Sequence, residues 1–219
     1  HAAAVTYTVE DGTAANDLVI SGPIAGNQAL IKAGAGTMAI RGPNGGFSGD
    51  VTVNQGTLLL DGGANTHPIG SSPSRTITIN PGATLTAAVG THNPFGTGSE
   101  PPLVVVNGGT MNTASYQHMQ GIDMTGGTIQ PSGAEVSGLD MKNAPTVRVF
   151  ASGTTATIAS KMTIGSAVTF NVEDGAAADD MVVSGVIVGG SSLTKTGPGT
   201  LLLSNTANSY TGTTYVHAG

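Results

Sequence analysis

The sequence has no cysteine and no tryptophan, and only 4% of its 219 residues are aromatic. Disulfide bonds therefore contribute nothing to its stability. A compact globule of this length normally fills its core with aromatic side chains, which bury large apolar areas. A narrow core of Val, Ile, Leu and Met needs less of this bulk, so the composition favours a thin, elongated molecule.

Charged residues are also scarce, at 9% of the chain, where about 25% is ordinary. The net charge is −6, and the seven basic residues are scattered along the sequence. Nucleic-acid binding requires a concentrated basic surface, so we expect no nucleic-acid partner. No apolar run approaches the ~18 residues of a transmembrane helix, and we expect no membrane-spanning segment. The basic residues are Lys32, Arg41, Arg75, Lys142, Arg148, Lys161 and Lys195.

Residues that favour helices are sparse, whereas strand signals run along the whole chain. Short stretches alternate between apolar and polar residues with a period of two, which places one face of a strand inward and the other outward. These patterns predict an all-β protein. The clearest alternating stretches are 5–9, 51–53, 75–79, 146–149 and 168–172.

The chain also repeats itself: residues 5–56 return at 168–219 without a gap, at a shift of 163. AVTYTVEDGTAANDLVISG at 4–22, for example, returns as AVTFNVEDGAAADDMVVSG at 167–185. A self-similar chain is first tested as a repeat architecture, since one reaction needs only one catalytic site. We expect the copies to superpose and to match in burial at four pairs, Val5 and Val168, Val9 and Val172, Val19 and Val182, and Leu30 and Leu193.

A second rhythm consists of a glycine, then threonine, then an apolar residue that restarts a strand. The threonines at 37, 57, 84, 110 and 128 are 20, 27, 26 and 18 residues apart. Each interval fits one turn of a β-solenoid, with loops of variable length. We therefore predict one elongated β-helix over residues 1–219, with roughly ten rungs. The stretch 57–167 supplies the rungs between the two copies.

The stretch 193–219 resembles the autotransporter-associated β-strand repeat of Gram-negative surface proteins. It contains a Lys-Thr-Gly-Pro-Gly-Thr turn at 195–200, an apolar strand at 201–203, an Asn-Ser-Tyr-Thr-Gly corner at 208–212 and a Thr-Tyr-Val strand from 214. The copy at 30–56 is degenerate, because the corner has become Gly45-Gly46-Phe47-Ser48-Gly49.

This resemblance implies a right-handed parallel β-helix at the bacterial cell surface. It favours a non-catalytic structural or adhesive stalk of a large extracellular protein, with a host, surface or glycan ligand as a possible partner. Self-assembly into an extracellular fibre by head-to-tail association is one alternative, and a carbohydrate-active β-helix enzyme is another. The signal peptide and the outer-membrane barrel of the family are not among these residues, so we expect an internal stretch of a longer array or a processed fibre subunit.

Acidic turns that recur in both copies are candidates for calcium binding, since Ca²⁺ takes six to eight oxygen ligands. The glycine-rich nonapeptide of calcium-binding β-rolls is absent from the sequence. We therefore interpret these turns as solvated and stabilised by Asx-type hydrogen bonds, and expect no metal cofactor. The residues are Glu10, Asp11 and Asp17 in the first copy, and Glu173, Asp174, Asp179 and Asp180 in the second.

Two other groups of residues are candidates for chemistry. A polysaccharide-cleaving β-helix needs several carboxylates and a nearby cation, and one stretch has both: Asp123, Glu135, Asp140, Lys142 and Arg148. Three histidines, His67, His92 and His118, could be considered as zinc ligands. The spacing of neither group marks a site, so we predict no catalytic, cofactor-binding or metal-binding residue and no enzymatic activity. The long segments 61–74 and 90–102 are loops on which a binding function could reside.

Overall fold

The computed structural model describes residues 3–43, 46–63, 66–72, 75–96, 99, 101–113, 116–133 and 138–219. Within these residues, all regular secondary structure is β-strand. The strands are β1 (Val5–Thr8), β2 (Leu18–Ile20), β3 (Leu30–Ala33), β4 (Thr37–Ile40), β5 (Val51–Val53), β6 (Gly56–Leu60), β7 (Thr76–Ile79), β8 (Ala83–Ala87), β9 (Leu103–Asn107), β10 (Thr110–Thr113), β11 (Gln117–Thr125), β12 (Thr128–Pro131), β13 (Leu139–Val149), β14 (Ala156–Ile158), β15 (Met162–Ile164), β16 (Val168–Val172), β17 (Met181–Val183), β18 (Ile187–Val188), β19 (Leu193–Thr196), β20 (Leu201–Leu203) and β21 (Thr214–Val216).

These strands wind into a parallel β-solenoid of about 9 turns. Face A carries the ladder β1-β3-β5-β7-β9-β11-β13-β16-β19-β21, and face B carries β2-β4-β6-β8-β10-β12-β14-β17-β20. A shorter face C is formed where the first parts of β11 and β13 continue the ladder through β15 to β18. The predicted all-β, parallel β-helix is confirmed.

The register explains the glycine-threonine rhythm of the sequence. Thr37, Thr57, Thr84, Thr110 and Thr128 pair with one another in consecutive turns of face B, and so form a single column. Side chains alternate across a strand, so the apolar residue that follows each threonine points the other way, into the solenoid. Each of these apolar residues is fully buried, and they are Met38, Leu58, Leu85, Met111 and Ile129.

The core is a continuous stack of aliphatic side chains between the faces. It is narrow enough that phenylalanine is needed at only three buried positions, Phe47, Phe95 and Phe170. Successive rungs pair their backbones as well as their side chains, so each turn is stabilised mainly by the turns next to it. The scarcity of aromatic residues is therefore a consequence of the thin cross-section.

The two copies have the same strand register, but their burial does not match at every pair. Val5 pairs with Leu30 as Val168 pairs with Leu193, so equivalent residues face the same way. Val168 is fully buried, yet Val5 is 47% exposed. Burial was therefore predicted wrongly at this pair, because Val5 lies on the terminal turn, where no further described turn covers it. Val9 and Val172 are both buried, as are Leu30 and Leu193, so the burial prediction is confirmed at these two pairs. Val19 is 40% exposed, whereas Val182 is intermediate in exposure.

Candidate functional site

The duplicated acidic turns are organised around one aspartate in each copy. Asp17 accepts hydrogen bonds from the backbone N–H groups of Gly12 and Thr37, both at 2.8 Å. These donors lower the pKa of Asp17, and the bond from Thr37 has the larger effect. Both carboxylate oxygens are thus engaged with the chain itself. The turns are thus held by side-chain-to-backbone hydrogen bonds, but the donors lie five residues back and 20 residues on, and not two residues on as in an Asx turn.

Asp180 repeats this arrangement in the second copy. It accepts from the N–H of Gly175 at 2.7 Å and from the N–H of Thr200 at 2.8 Å. In each case one bond closes the turn that contains the aspartate, and the other reaches the next turn of the solenoid. The other acidic residues of these turns stay near the surface, and Glu173 accepts a hydrogen bond from the N–H of Ala151.

The mixed-charge stretch that is the candidate for polysaccharide cleavage is divided between two faces. On face A, Asp123 pairs with Arg148 in register, and Arg148 Nε donates to Asp123 Oδ1 at 2.6 Å. The second bond, from Nη2 to Oδ2, makes the pair bidentate and raises the pKa of Arg148. An open depression beside the pair is lined by Gln120, Gly121 and Asn143 among others. The charges of Asp123 and Arg148 therefore neutralise each other. Glu135, the remaining acidic candidate of this stretch besides Asp140, lies outside the described residues.

On face C, Asp140 is almost fully buried and has its own partners. Its Oδ2 atom lies 2.6 Å from the hydroxyl of Tyr116 and 2.9 Å from Lys142 Nζ. His118 Nδ1 is also 2.9 Å from Oδ2, but it is not aligned for a hydrogen bond. Burial raises the pKa of Tyr116 to about 12 and lowers the pKa of His118, although the Asp140 charge opposes the latter. The structure therefore brings Asp140 and Lys142 together, but places Asp123 and Arg148 on another face.

His67 and His118 are held by separate contacts, and His92 is partly exposed. His67 Nδ1 lies 2.6 Å from the carbonyl oxygen of Asn93, and His118 lies beside Asp140. Within the described ranges, no group of three His, Asp or Glu side chains is arranged to hold a metal ion. The structure thus does not assemble the zinc site that was considered.

The long loops repeat one local geometry in neighbouring turns. His67 and Asn93 both have positive φ, and each carbonyl accepts from the glycine three residues on, Gly70 or Gly96. Ile69 and Phe95 are buried in the core. The described parts of 61–74 and 90–102 are therefore built into the rungs. Positions 64–65, 73–74, 97–98 and 100 lie outside the described residues.

A buried lysine in each copy donates three hydrogen bonds to backbone carbonyls. Lys32 is fully buried, and its ammonium group donates to the carbonyls of Ala33 at 3.0 Å, Gly34 at 2.7 Å and Gln55 at 3.1 Å. The first two carbonyls belong to the turn that follows the lysine, and the third belongs to the next rung. Three N–H donors thus meet three backbone acceptors, which satisfies the charged group without a carboxylate partner.

Lys195 makes the equivalent three bonds in the second copy. Its ammonium group donates to the carbonyls of Thr196 at 3.1 Å, Gly197 at 2.7 Å and Ala218 at 2.9 Å. Each acceptor lies 163 residues after its counterpart in the first copy. We call each set of three bonds a lysine clamp. Burial lowers the pKa of both lysines, with Asp17 opposing this effect on Lys32 and Asp180 opposing it on Lys195.

The glycines of this turn allow the chain to pass close to the preceding rung. Gly34 has φ of 78°, and Gly197 has φ of 80°, in the left-handed region that favours glycine. A Cβ atom at Gly36 would lie 2.7 Å from Asp17 Oδ2, and one at Gly199 would lie 2.8 Å from Asp180 Oδ2. Each named residue of the pattern Lys-x-Gly-x-Gly-Thr therefore has a role. The lysine forms the clamp, the two glycines allow the close approach to the preceding rung, and the backbone N–H of the threonine donates to the aspartate.

A family model described as the passenger-associated-transport-repeat matches residues 30–60 and 193–219. Two stretches of the chain, about a quarter of its length, match this repeat. Each match contains one lysine clamp and its glycines, which join one rung to the next. Comparison with curated proteins and comparison with solved structures found no match to the chain.

The sequence analysis did not predict the roles of the buried basic residues. Lys32 and Lys195 were treated as scattered charges, although their recurrence at equivalent positions signalled a common role. Arg75 was also missed, and it is 1% exposed. Its Nη2 donates to the carbonyl of Phe47 at 2.8 Å, and its guanidinium lies over the Phe47 ring. Burial lowers the pKa of Arg75 to about 10, against the charge of Asp50. No motif around Arg75 marked it.

The structure contains no helix, among its described residues, that is long and apolar enough to cross a membrane. The repeat match and the parallel solenoid together fit a segment of an autotransporter passenger. The repeat family implies a secreted or cell-surface protein.

Proposed function

We propose that this chain is a non-catalytic stalk segment of a large extracellular surface protein. The observation that carries the proposal is the pair of lysine clamps, because each ties a turn to the following rung through backbone carbonyls. A protein in which both matched stretches contain such a rung-to-rung attachment is suited to length and stiffness. Adhesion through the loops at 61–74 and 90–102 stays a prediction.

The absence of catalysis is supported by how the candidate carboxylates are engaged. Asp123 is occupied by a bidentate arginine, and Asp140 Oδ2 is shared by Tyr116 and Lys142. A base that abstracts a proton must be within reach of substrate, whereas Asp140 is 1% exposed. Incubation with acidic polysaccharides should release no unsaturated oligosaccharide. Release that is lost in Asp140→Asn would favour the carbohydrate-active alternative.

The stalk proposal can be tested by measuring the distance that the chain adds. About 9 turns with a rise of ~4.8 Å give a rod about 43 Å long. The chain would be inserted between a fluorescent reporter domain and an outer-membrane β-barrel on a Gram-negative cell. Energy transfer from the reporter to a membrane dye should show a narrow distance distribution, shifted outward by about 43 Å relative to the fusion without the chain.

A matched control distinguishes a rod from a mere spacer. The variant with both Lys32→Met and Lys195→Met keeps the length of the chain but removes the clamps. It should broaden the distribution towards that of a flexible chain, whose mean span grows as ~5–6 Å times the square root of the residue number. An equally broad distribution for the unaltered chain would contradict the stalk proposal.

Head-to-tail self-association is a second candidate, favoured by the apolar side chains exposed on the two terminal turns. Val5 is 47% exposed at one end, while Tyr215 and Val216 are 47% and 68% exposed at the other. Open strand edges can pair with another chain. Sedimentation at increasing concentration tests this, and Val216→Pro should suppress association by removing a backbone donor. A monomer at every concentration would eliminate the fibre alternative.

A further inference from the structure

One column of outward side chains on face A is interrupted at Gly121. Five residues pair in register in consecutive rungs, and each precedes a fully buried residue in its strand, so all five point outward. Gly121 is the one member of this column without a side chain. A depression of about 380 Å³ lies over it, within the ~300–1,000 Å³ range of small-molecule sites. The column consists of Thr76, Leu103, Gly121, Thr146 and Thr169.

One end of the depression is closed by a step between neighbouring rungs. β11 turns its corner with a single extra residue, Gln120, whereas β13 uses the four residues 142–145 at the same place. The longer corner bulges outward, since the strand parts on both sides of it are held in register. Asn143 and Ala144 in this corner are exposed and line the depression. The N–H of Ala144 donates to Ser166 Oγ at 2.9 Å, which fixes the corner to the following rung.

The other end of the depression is closed by the ion pair of Asp123 and Arg148. The side chain of Asp123 is only 9% exposed, and both of its oxygens accept from Arg148. The guanidinium also lies 5.9 Å from the centroid of the Phe150 ring. These contacts fix the plane of the guanidinium. No hydrogen bond joins Arg148 Nη1 to a described residue, so its N–H groups can donate to a ligand.

The side chains around the depression offer donors and acceptors without a net charge. Asp123 and Arg148 are the two charged residues of the lining, and they neutralise each other. The amides of Gln120 and Asn143 make no hydrogen bond to a described residue, and each amide can both donate and accept. An acidic ligand would therefore find no unpaired cation here, and a basic ligand would find no unpaired carboxylate. Hydroxyl groups match the lining, because a hydroxyl also donates and accepts.

We propose that this depression binds one hexose unit of a neutral glycan. The hydroxyl groups at the edge of the sugar would bond to Arg148 and to the amides of Gln120 and Asn143. The C–H groups on its face would pack over Gly121 against Leu103, which lines the depression. Binding without cleavage is expected, since glycoside hydrolysis generally uses two carboxylates and the lining contains one. This site would add a ligand to the proposed stalk, and it does not depend on the stalk role.

The test titrates the full chain with the methyl glycosides of glucose, galactose and mannose. NMR spectra of the ¹⁵N-labelled protein should show saturable shifts at the Gly121 amide and at the side-chain amides of Gln120 and Asn143 for at least one of them. The uronic acid and the 2-amino derivative of that sugar should bind about tenfold more weakly or worse, because each carries a charge that the lining leaves unpaired. A uronic acid that binds as tightly as the neutral sugar would contradict the proposal.

Three variants of the protein complete the test. Gly121→Val fills the depression and should abolish the shifts; a Cβ atom there would lie 3.1 Å from the carbonyl oxygen of Thr146, so the strand needs only a small adjustment. Thr169→Val changes the same column two rungs away, outside the lining, and should bind as the unaltered chain does. Gln120→Ala lies on an exposed corner and should weaken binding about tenfold.

Circular dichroism verifies that the variants are folded, and Gln120→Ala decides the matter if Gly121→Val does not fold. The proposal would be overturned if none of the three neutral glycosides binds. Unchanged binding in a folded Gly121→Val or Gln120→Ala variant would overturn it as well. An equal loss in Thr169→Val would show that the effect is not local to the depression, with the same consequence.

Discussion

At the scale of single residues, the molecule is unusual for burying ammonium groups that have no carboxylate at hydrogen-bonding distance. An isolated buried charge is costly, and proteins normally pair it. Each lysine clamp instead surrounds the charge with three carbonyl dipoles. Charge-assisted bonds of this kind are stronger than bonds between neutral groups. Removal of the ammonium also leaves the carbonyls without their donor.

Lys32→Met keeps most of the apolar stem and removes all three hydrogen bonds. We expect the free energy of unfolding to fall by about 2–4 kcal/mol, given ~1–3 kcal/mol for each buried polar group left unsatisfied. Lys195→Met should cost less, because Lys195 lies on a terminal turn and is 5% exposed rather than fully buried. Urea denaturation provides the comparison.

Lys161→Met is the control for these two substitutions, since no hydrogen bond joins the Lys161 side chain to a described residue. It should change the free energy of unfolding by less than about 0.5 kcal/mol, as surface substitutions usually do. Equal losses in Lys32→Met and Lys161→Met would show that the clamps do not stabilise the solenoid.

Asp180→Ala removes the acceptor for two backbone N–H groups, those of Gly175 and Thr200. The expected loss is about 1–3 kcal/mol, the range for an orphaned buried group. Asp179→Ala is the matched neighbour, because its carboxylate makes no bond to a described residue. Thermal denaturation of both variants gives the comparison.

Calcium should leave the melting temperature of the unaltered chain unchanged. A specifically bound ion would stabilise the fold by about 2.7 kcal/mol at a hundredfold excess over its Kd. The carboxylate oxygens of Asp17 and Asp180 already accept N–H groups, so they are poorly placed to receive a cation. A rise of several degrees with calcium, lost in Asp180→Ala, would show that the acidic turns are metal sites.

Stability should also depend on pH through His118. Its pKa in the folded protein is lowered below 6.5 by burial, against the attraction of Asp140. The unfolded chain then binds more protons between the two pKa values, so stability falls as the pH drops from 6.5 towards the folded value. Denaturation midpoints between pH 5 and 8 should show this slope. A slope that is unchanged in His118→Asn would rule out His118 as its source.

At the scale of elements, the strands show how closely inward and outward positions alternate. Leu58 and Leu59 are neighbours in β6, but Leu58 is fully buried whereas Leu59 is partly exposed. Leu58→Ala should lower the free energy of unfolding by about 2–5 kcal/mol, the range for a buried leucine, through lost contacts and a cavity. Leu59→Ala should cost less than about 1 kcal/mol. Similar values in urea denaturation would mean that the register is wrong.

The elements that sequence could predict are those whose corners use glycine. The threonine column and the equivalent register of the two copies follow from glycine positions and alternation alone. By contrast, β13 bends between face C and face A at Asn143 and Ala144, which have φ of 61° and 53°. No glycine marks this corner. A residue pattern that gives no turn signal could not reveal that one strand serves two faces.

The site residues were harder to predict because charged side chains were expected to be exposed to solvent. Lys32 and Arg75 are buried, and each donates hydrogen bonds to backbone carbonyls. Because every residue has a carbonyl, the sequence does not show which of them will accept. Asp123 and Arg148 are 25 residues apart, and only the register of β11 against β13 brings them together. Spacing along the chain cannot predict such pairs unless the length of each turn is known.

At the scale of the whole molecule, circular dichroism should show β-structure with negligible helix. The reason is that all regular secondary structure in the described part of the chain is β-strand. Ordinary globular proteins have about a third of their residues in helices. A helical content of that size would contradict the solenoid.

The lysine clamp also bears on how such a rod could lengthen in evolution. The ammonium group recognises carbonyl oxygens, which every amino acid supplies, so it places no demand on the side chains of the rung that it holds. A duplicated or inserted turn would be accepted without a complementary mutation elsewhere. The 52-residue repeat, preserved without a gap at a shift of 163, is the kind of rearrangement that such an attachment permits. The gene could therefore gain turns without compensating changes in the rest of its sequence.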